Sequence, residues 1–389
     1  MDEIVTDPVE PSTEEEPPPS GQPASSAGAP QRHGGRPRRS LHVALLANLK
    51  KNAPVIPGIP EDYWVDLDSE STIEAIADGL RQGGHRVTFL EGDVTLYDRL
   101  REVRPDICFN ICEGHFGDSR EAQVPAILEM LRIPYTGSRV LTLALALDKP
   151  MTKRILSYHG LPTPPFQVFE RADEPLDPTL TFPMFVKPSR QGTGMGITAQ
   201  SIVHDEAELR AQLRSILEAY HEPALVERYI SGRELTVGMV GNLTPPVAWR
   251  VPEDEDAPRV QRGLRFLPPL EIDLGIYNEA EGGVYTHHAK VELADRLNYI
   301  CPAPISAELT EELNWLAAAT FRVTGCLDVA RVDFRLDEAD GQPYILEVNP
   351  LPGLSPGISD LVIEAAAAGI GHAELVNMIL DQAVARYGL

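Results

Sequence analysis

The stretch Ala330-Arg331-Val332-Asp333-Phe334-Arg335-Leu336, followed after Asp337 to Pro343 by Tyr344-Ile345-Leu346-Glu347-Val348-Asn349, reads as a β-hairpin. Apolar and polar residues alternate on both arms, and Asp340-Gly341 supplies the turn. Side chains along a strand alternate faces. Val332, Phe334 and Leu336 therefore point one way, and Arg331, Asp333 and Arg335 the other. On the return arm Glu347 and Asn349 share a face. With the faces matched, one patch holds two carboxylates, an amide and an arginine. Two carboxylates about 4 Å apart repel by about 4 kcal/mol at an effective dielectric of about 20. A hard divalent cation can offset that, because Mg²⁺ uses one or two carboxylates plus phosphate oxygens. So can a salt bridge from Arg331 to Asp333 or Glu347, and the strand pattern leaves both open. Asn349-Pro350-Leu351-Pro352-Gly353 then forms a rigid loop, either a substrate wall or a plain turn.

Upstream, strands alternate with helices. Leu41 to Leu46 is a strand, and residues 71–83 carry helical spacing through Ile73, Ile76, Ala77 and Leu80. Ser71-x-x-Glu74 suggests a capping box, and Gly83-Gly84 stops the helix. Strands follow at Arg86–Leu90 and Asp106–Ile111, then a helix at Ala122–Leu131. This alternation predicts a parallel sheet in a small doubly wound α/β domain over residues 41–146. After the proline-rich Leu161-Pro-Thr-Pro-Pro-Phe the texture changes. Strands at Phe182–Lys187 and Gly196–Val203 flank a glycine loop, Glu206–Tyr220 is an amphipathic helix, and Ala224–Ile230 and Glu234–Val240 are strands. These mixed elements predict an α+β region in two lobes, residues 147–234 and 235–389.

Composition sets outer bounds. The 389 residues allow two or three domains, and 43% apolar content supplies a core. Acidic residues number 58 and basic ones 34, a net charge of −24. That balance argues against binding nucleic acid or an anionic membrane, both held by Lys and Arg. No run of 18 apolar residues suggests a membrane span. Cys108, Cys112, Cys301 and Cys326 form no CxxC pair and read as small hydrophobes in a reducing compartment. The start, Met1-Asp2-Glu3, has no apolar leader, so a cytoplasmic location is expected. Residues 1–40 hold eight prolines and no Phe, Trp or Tyr, and are expected to form a disordered tail.

Three further motifs carry chemistry. Lys187-Pro-Ser-Arg-Gln-Gly-Thr-Gly-Met-Gly196 matches neither GxxxxGK[ST] nor GxGxxG and opens no helix. It reads as a lid turning backbone amides toward phosphates, with Lys187 at its base, or as an ordinary hairpin. Leu147-Asp148-Lys149-Pro150 precedes a helical run, Met151–His159. Lys149 there meets a phosphate near the helix dipole, or is a surface lysine. Val226-Glu-Arg-Tyr-Ile-Ser-Gly-Arg-Glu234 presents backbone groups to a purine edge and a carboxylate to ribose, or is a solvated turn.

In this order the motifs resemble the ATP-grasp superfamily, and most closely the D-alanine–D-alanine ligase family. The resemblance runs from about Leu41 to the C-terminus. It rests on Ile133-Pro-Tyr-Thr-Gly-Ser with Leu147-Asp-Lys, Val186-Lys-Pro-Ser-Arg-Gln-Gly, Glu227-Arg-Tyr-Ile-Ser-Gly-Arg-Glu234, Ala330-Arg-Val-Asp-Phe and Leu346-Glu-Val-Asn-Pro. It implies a pre-ATP-grasp domain followed by a two-lobed ATP-grasp fold. It implies a ligase that phosphorylates a carboxylate with ATP and lets an amine attack the acyl phosphate. Its substrates would be small molecules, amino acids among them, and the family often forms homodimers. By position, Lys149 and Lys187 would hold ATP phosphates under Gly192, Thr193 and Gly194. Glu227, Tyr229 and Ile230 would meet adenine, Glu234 the ribose, and Leu346 belongs to the same nucleotide set. Asp333, Glu347 and Asn349 would ligate two Mg²⁺ or Mn²⁺ ions. Arg331 would face the transferring phosphoryl group, Lys290 would reach it from a mobile loop, and the Gly353 amide would meet the oxyanion. Glu70 would hold the first substrate's amino group.

Departures gather at the substrate end. Gln191 stands where the family has Glu, Thr193-Gly194 where it has a serine pair, and Val291 where it has an aromatic. The first domain's acidic-glycine motif is altered to Glu113-Gly-His-Phe-Gly-Asp-Ser-Arg-Glu121. These residues imply an intact ATP half and a reshaped amino-acid half. An ATP-grasp kinase of small molecules and a non-catalytic ATP-binding regulator are the competing classes.

Overall fold

The computed structural model describes residues 40–243, 263–275 and 297–389. Its first sheet holds β1 (His42–Ala47), β2 (Arg86–Glu91) and β3 (Ile107–Asn110), all parallel, in the order β2-β1-β3. Parallel strands covered on both faces need apolar side chains throughout, and every residue of β1 is buried. The connecting helices are α1 (Glu70–Gln82) and α2 (Leu96–Val103), with α3 (Gln123–Leu131) after β3. The helix expected to be capped by Ser71 starts earlier. Ser69 is the N-cap, its hydroxyl accepting from the Thr72 amide at 3.1 Å, and Ser71 lies within the first turn.

Helices α4 (Val140–Leu147) and α5 (Lys149–Tyr158) meet at Asp148. Its carboxylate accepts from the Met151 amide at 2.9 Å and caps α5. The helix therefore begins at Lys149, ahead of the expected Met151, with Pro150 in its first turn.

The second sheet is antiparallel: β4 (Phe166–Phe169), β5 (Met184–Pro188), β6 (Ile202–Val203) and β7 (Ala224–Arg228), in the order β4-β7-β5-β6. The strand expected over Gly196–Val203 is only β6. A 3₁₀ turn at Ala199–Ser201 precedes it, and Gly194 and Gly196 take φ of +73° and +71°, which no strand can hold. Helix α6 (Glu206–Tyr220), capped by Asp205, buries Leu209, Leu213 and Ile216 on this sheet.

The third sheet carries β8 (Gly232–Gly241), β9 (Leu264–Phe266), β10 (Leu270–Asp273), β11 (Asn298–Ile300), β12 (Val329–Asp337) and β13 (Pro343–Asn349). β12 lies between β8 and β13, antiparallel to both. Helix α7 (Ala307–Thr324) covers its apolar face, burying Leu313, Leu316 and Phe321 against Val237, Val332 and Phe334. Each such Leu or Phe contributes about 1.5–3 kcal/mol on burial. Helices α8 (Asp360–Ala367) and α9 (His372–Tyr387) return to the first sheet. Leu361, Val376 and Leu380 share a core with Leu45, Ile76 and Phe109. Among the described residues no single helix is long and apolar enough to cross a membrane. The four cysteines are free thiols.

Candidate active site

The hairpin is β12–β13, and its register pairs Asp333 with Glu347 and Arg331 with Asn349. The four side chains therefore do share one face. A bulge follows, because Phe334 pairs with Ile345 and Leu346 is left over. An extra residue breaks the strict alternation. Leu346 thereby joins Glu347 in lining a cavity, while Val348 and Ile345 stay in the core.

Arg331 grips Asp333 with two parallel bonds, Nε to Oδ1 and Nη2 to Oδ2, each 2.8 Å. The Thr236 hydroxyl donates to Asp333 at 2.7 Å and the Asn349 amide at 2.9 Å. The other edge of Arg331 lies 3.3 Å from Asp360, and Lys149 Nζ lies 3.0 Å from Glu347. Burial works against the guanidinium charge, but Asp333 and Asp360 overcome it and hold the proton more firmly than usual. The salt bridge is thus present, and it sits within the carboxylate–amide patch. Asp333, Glu347 and Asn349 offer hard oxygens and fit a divalent cation of the Mg²⁺ kind. Among the described residues no three His, Cys, Asp or Glu side chains group to hold a metal. An ion here would therefore depend on Asn349 and on ligand oxygens.

A cavity of ≈ 730 Å³ opens between the second sheet and the hairpin. Lys149, Lys187, Gly192, Thr193, Gly194, Glu227, Tyr229, Ile230, Glu234 and Leu346 all line it. One end is cationic and glycine-rich. Toward the other, the Phe185 and Tyr229 rings stack with centroids 6.4 Å apart. Glu234 accepts from Arg335 Nη1 at 3.0 Å, and Arg335 also reaches the Tyr229 hydroxyl at 3.2 Å.

Glu227 is buried between two ammonium groups, Lys187 at 2.7 Å and Lys153 at 2.8 Å. Burial alone would raise its carboxyl pKa. The two cations reverse that and bring it down to about 2. Burial brings Lys153 down to about 8 against the pull of Glu227, whereas Glu227 and Glu347 together raise Lys187 despite its burial. Lys153 escaped the sequence reading. The signal was there, since Lys149 and Lys153 are four apart on α5 and so share a helix face.

A second cavity, ≈ 1090 Å³, adjoins the first and shares Lys149, Gly192, Thr193 and Glu347 with it. Arg331, Asn349 and Gly353 line it, with Pro350, Leu351 and Pro352 as a stiff wall. A Cβ at Gly353 would lie 2.8 Å from the Ser359 hydroxyl, so the backbone can approach there only without a side chain. Asp66, Glu113, Glu121 and Asp360 bring carboxyl groups. Burial raises the Glu121 pKa to about 7, Arg120 opposing and Asp66 adding to the rise. Burial, and then Glu121, raise Glu113 well above the usual range.

Glu70 is not brought here. It is the first residue of α1, its side chain 69% exposed and paired with Lys51 on the outer surface. Asp66, four residues earlier, is the acid that faces the cavity. Lys290 and Val291 lie outside the described residues, as does the expected tail up to residue 39.

Solved structures share the fold. The crystal structure of D-alanine–D-alanine ligase from Bacillus anthracis complexed with ATP matches with a TM-score of 0.65 at 22% identity, over 90% of this chain and 99% of that one. The fold is the ATP-grasp fold. The family model described as "D-ala D-ala ligase C-terminus" matches residues 155–253 and 271–381. D-alanine–D-alanine ligase from Pelotomaculum thermopropionicum is 33% identical over 82% of this chain and 93% of its own length. An uncharacterized protein, y4sG, of Sinorhizobium fredii is 36% identical over 81% of this chain and 88% of its own length. The chain belongs to the D-alanine–D-alanine ligase family, and it is an ATP-dependent ligase that forms carbon–nitrogen bonds.

Proposed function

We propose that this ligase joins the carboxylate of one small amino-acid-like substrate to the amine of another, and that the pair is not two D-alanines. The observation that carries the ligation is the meeting of two cavities at Lys149, Gly192, Thr193 and Glu347, and the change of specificity rests on the altered residues of the substrate end. The first cavity suits a nucleotide. The second is polar, lined by carboxyl groups, and lies next to the phosphate end of the first.

In this reading Lys149, Lys187 and the glycine-loop amides of Gly192, Thr193 and Gly194 hold phosphates. Glu227 and the backbone at Tyr229 and Ile230 meet the adenine, Glu234 the ribose, and Leu346 packs on the base. Asp333, Glu347 and Asn349 would hold the divalent ions that the family resemblance implies. Such ions offset charge on a transferring phosphoryl group. The substrate carboxylate attacks the γ-phosphorus of ATP, ADP leaves, and an acyl phosphate forms. The amine then attacks the acyl carbon and phosphate departs. Arg331 spreads charge away from the transferring group, and the Gly353 N–H meets the developing oxyanion. The family resemblance gives Lys290 as a further cation for the γ-phosphate. Phosphoryl transfer needs positioning and cations more than covalent help, and these residues supply both.

The substrate end differs from the family at Gln191, Thr193-Gly194 and Glu113–Glu121. With Glu70 on the outer surface, a substrate ammonium falls to Asp66, Glu113 or Glu121 instead. The division into residues 41–146, 147–234 and 235–389 belongs to the same proposal, with the nucleotide between the last two.

Phosphate release from ATP, screened over D- and L-amino acids singly and in pairs, tests the reading. Release that needs an added amine, with an unlike pair giving an amide-bonded mass, is the expected result. Release with D-alanine alone, giving the D-alanyl-D-alanine mass, would return the parent specificity. Release without any amine would mark a kinase.

A further inference from the structure

The glycine loop between β5 and β6 is tied down by side chains from the first sheet's loops. The Gly196 amide and the Tyr220 hydroxyl both donate to Asp62, each at 2.9 Å. Arg190 lies 3.2 Å from Asp118 and 3.0 Å from Asp148. Arg120 sits at the centre, only 9% exposed. Its Nη1 donates to the Arg190 carbonyl at 3.0 Å. Its Nη2 reaches Asp66 Oδ2 at 3.3 Å and Gln191 Oε1 at 3.4 Å. Asp66 lines the second cavity and Gln191 the first. One planar fork thus touches a wall of each.

We propose that Arg120 is a positioning residue that couples the substrate cavity to the phosphate end of the nucleotide cavity, by holding Arg190 and Gln191 of the glycine loop against Asp66. The inference rests on the ligase reading. A guanidinium can serve a carboxylate, a carbonyl and an amide at once from a fixed plane, and an ammonium cannot. The loop needs such anchorage, because Thr193, Gly194 and Gly196 take positive φ (50°, 73° and 71°) and have no regular ladder to hold them. Arg120 also feels Glu121 and Glu113, which line the second cavity. A substrate cation that engages Asp66 shares that carboxylate with Arg120, so occupancy of one cavity is felt at the loop over the other.

The experiment is calorimetric binding of ATP and of AMP, with Mg²⁺, to wild type, Arg120→Lys, Asp66→Asn and the double variant. AMP lacks the phosphates that the loop would meet. Each single change is expected to raise the ATP Kd by about tenfold, the scale of one lost hydrogen bond to a charged group. AMP binding should stay within about twofold. The double variant should be no worse than the larger single, because both residues act through one contact. A wild-type Tm marks a variant as folded, and if Arg120→Lys fails that check the near-isosteric Asp66→Asn is read alone. ATP affinity unchanged, ATP and AMP affinity lost together, or single effects that add would overturn the coupling. A wild type that binds neither nucleotide overturns the ligase reading, and this inference falls with it.

Discussion

Asp333 carries two duties: it accepts both prongs of Arg331, and it faces the first cavity beside Glu347. Asp333→Asn removes a charged oxygen donor while Arg331 keeps Asp360 at 3.3 Å. We predict that ATP turnover falls by about 10²–10³, the scale of losing one preorganised stabiliser. A thermal melt should stay close to wild type, and near-normal ADP release would remove Asp333 from the metal set. Glu121 gives a pH prediction. Its folded pKa is raised from 4.5 to about 7, so the native state binds a proton that the unfolded state has lost. That contribution is complete below 4.5 and disappears as pH rises through about 7. The ligand-free protein should therefore melt higher near the lower limit than above the upper one, and Glu121→Gln should flatten the trend. Lys149, Asp333 and Glu347 were legible in the sequence because strand alternation and a helix start fix where they point. Glu70 points away from the cavities because an irregular loop precedes α1, and counting along a loop does not say which acid turns inward.

At the scale of elements, the hairpin, its facing residues and α6 followed from apolar period alone. The bulge at Leu346 did not, since one extra residue on one strand is decided by packing rather than pattern. Nor did the shortness of β6, where positive-φ glycines end the ladder. Gly238 shows how closely α8 is set on the third sheet. It lies opposite Arg331 in the β8–β12 register, and a Cβ there would sit 2.1 Å from Glu364 Oε2 and 2.4 Å from Leu361 Cδ1. Both neighbours belong to α8, and both are buried. Gly238→Ala should cost about 1–3 kcal/mol by overpacking and lower the Tm. It should also reduce turnover, because α8 carries Asp360 against Arg331. Wild-type Tm and wild-type turnover together would mean that α8 yields without moving Asp360.

For the whole molecule, the α/β start and the mixed sheets that follow were readable from alternating strands and helices. The return of α8 and α9 to the first sheet was not, because nothing local says which surface an amphipathic helix will cover. That return brings Asp360 and the Pro350–Gly353 wall to the mouth of the second cavity. A chain of net charge −24 gathers Lys149, Lys153, Lys187, Arg331 and Arg335 at or behind two adjoining cavities. In the proposed reading the arrangement answers a chemical need, cations placed around a phosphoryl group between a carboxylate and an amine. The most direct measurement is to label the carboxylate of the responding substrate with oxygen-18 and weigh the released phosphate. An acyl phosphate predicts one labelled oxygen carried into phosphate for each amide formed. Amide formed with unlabelled phosphate would contradict it.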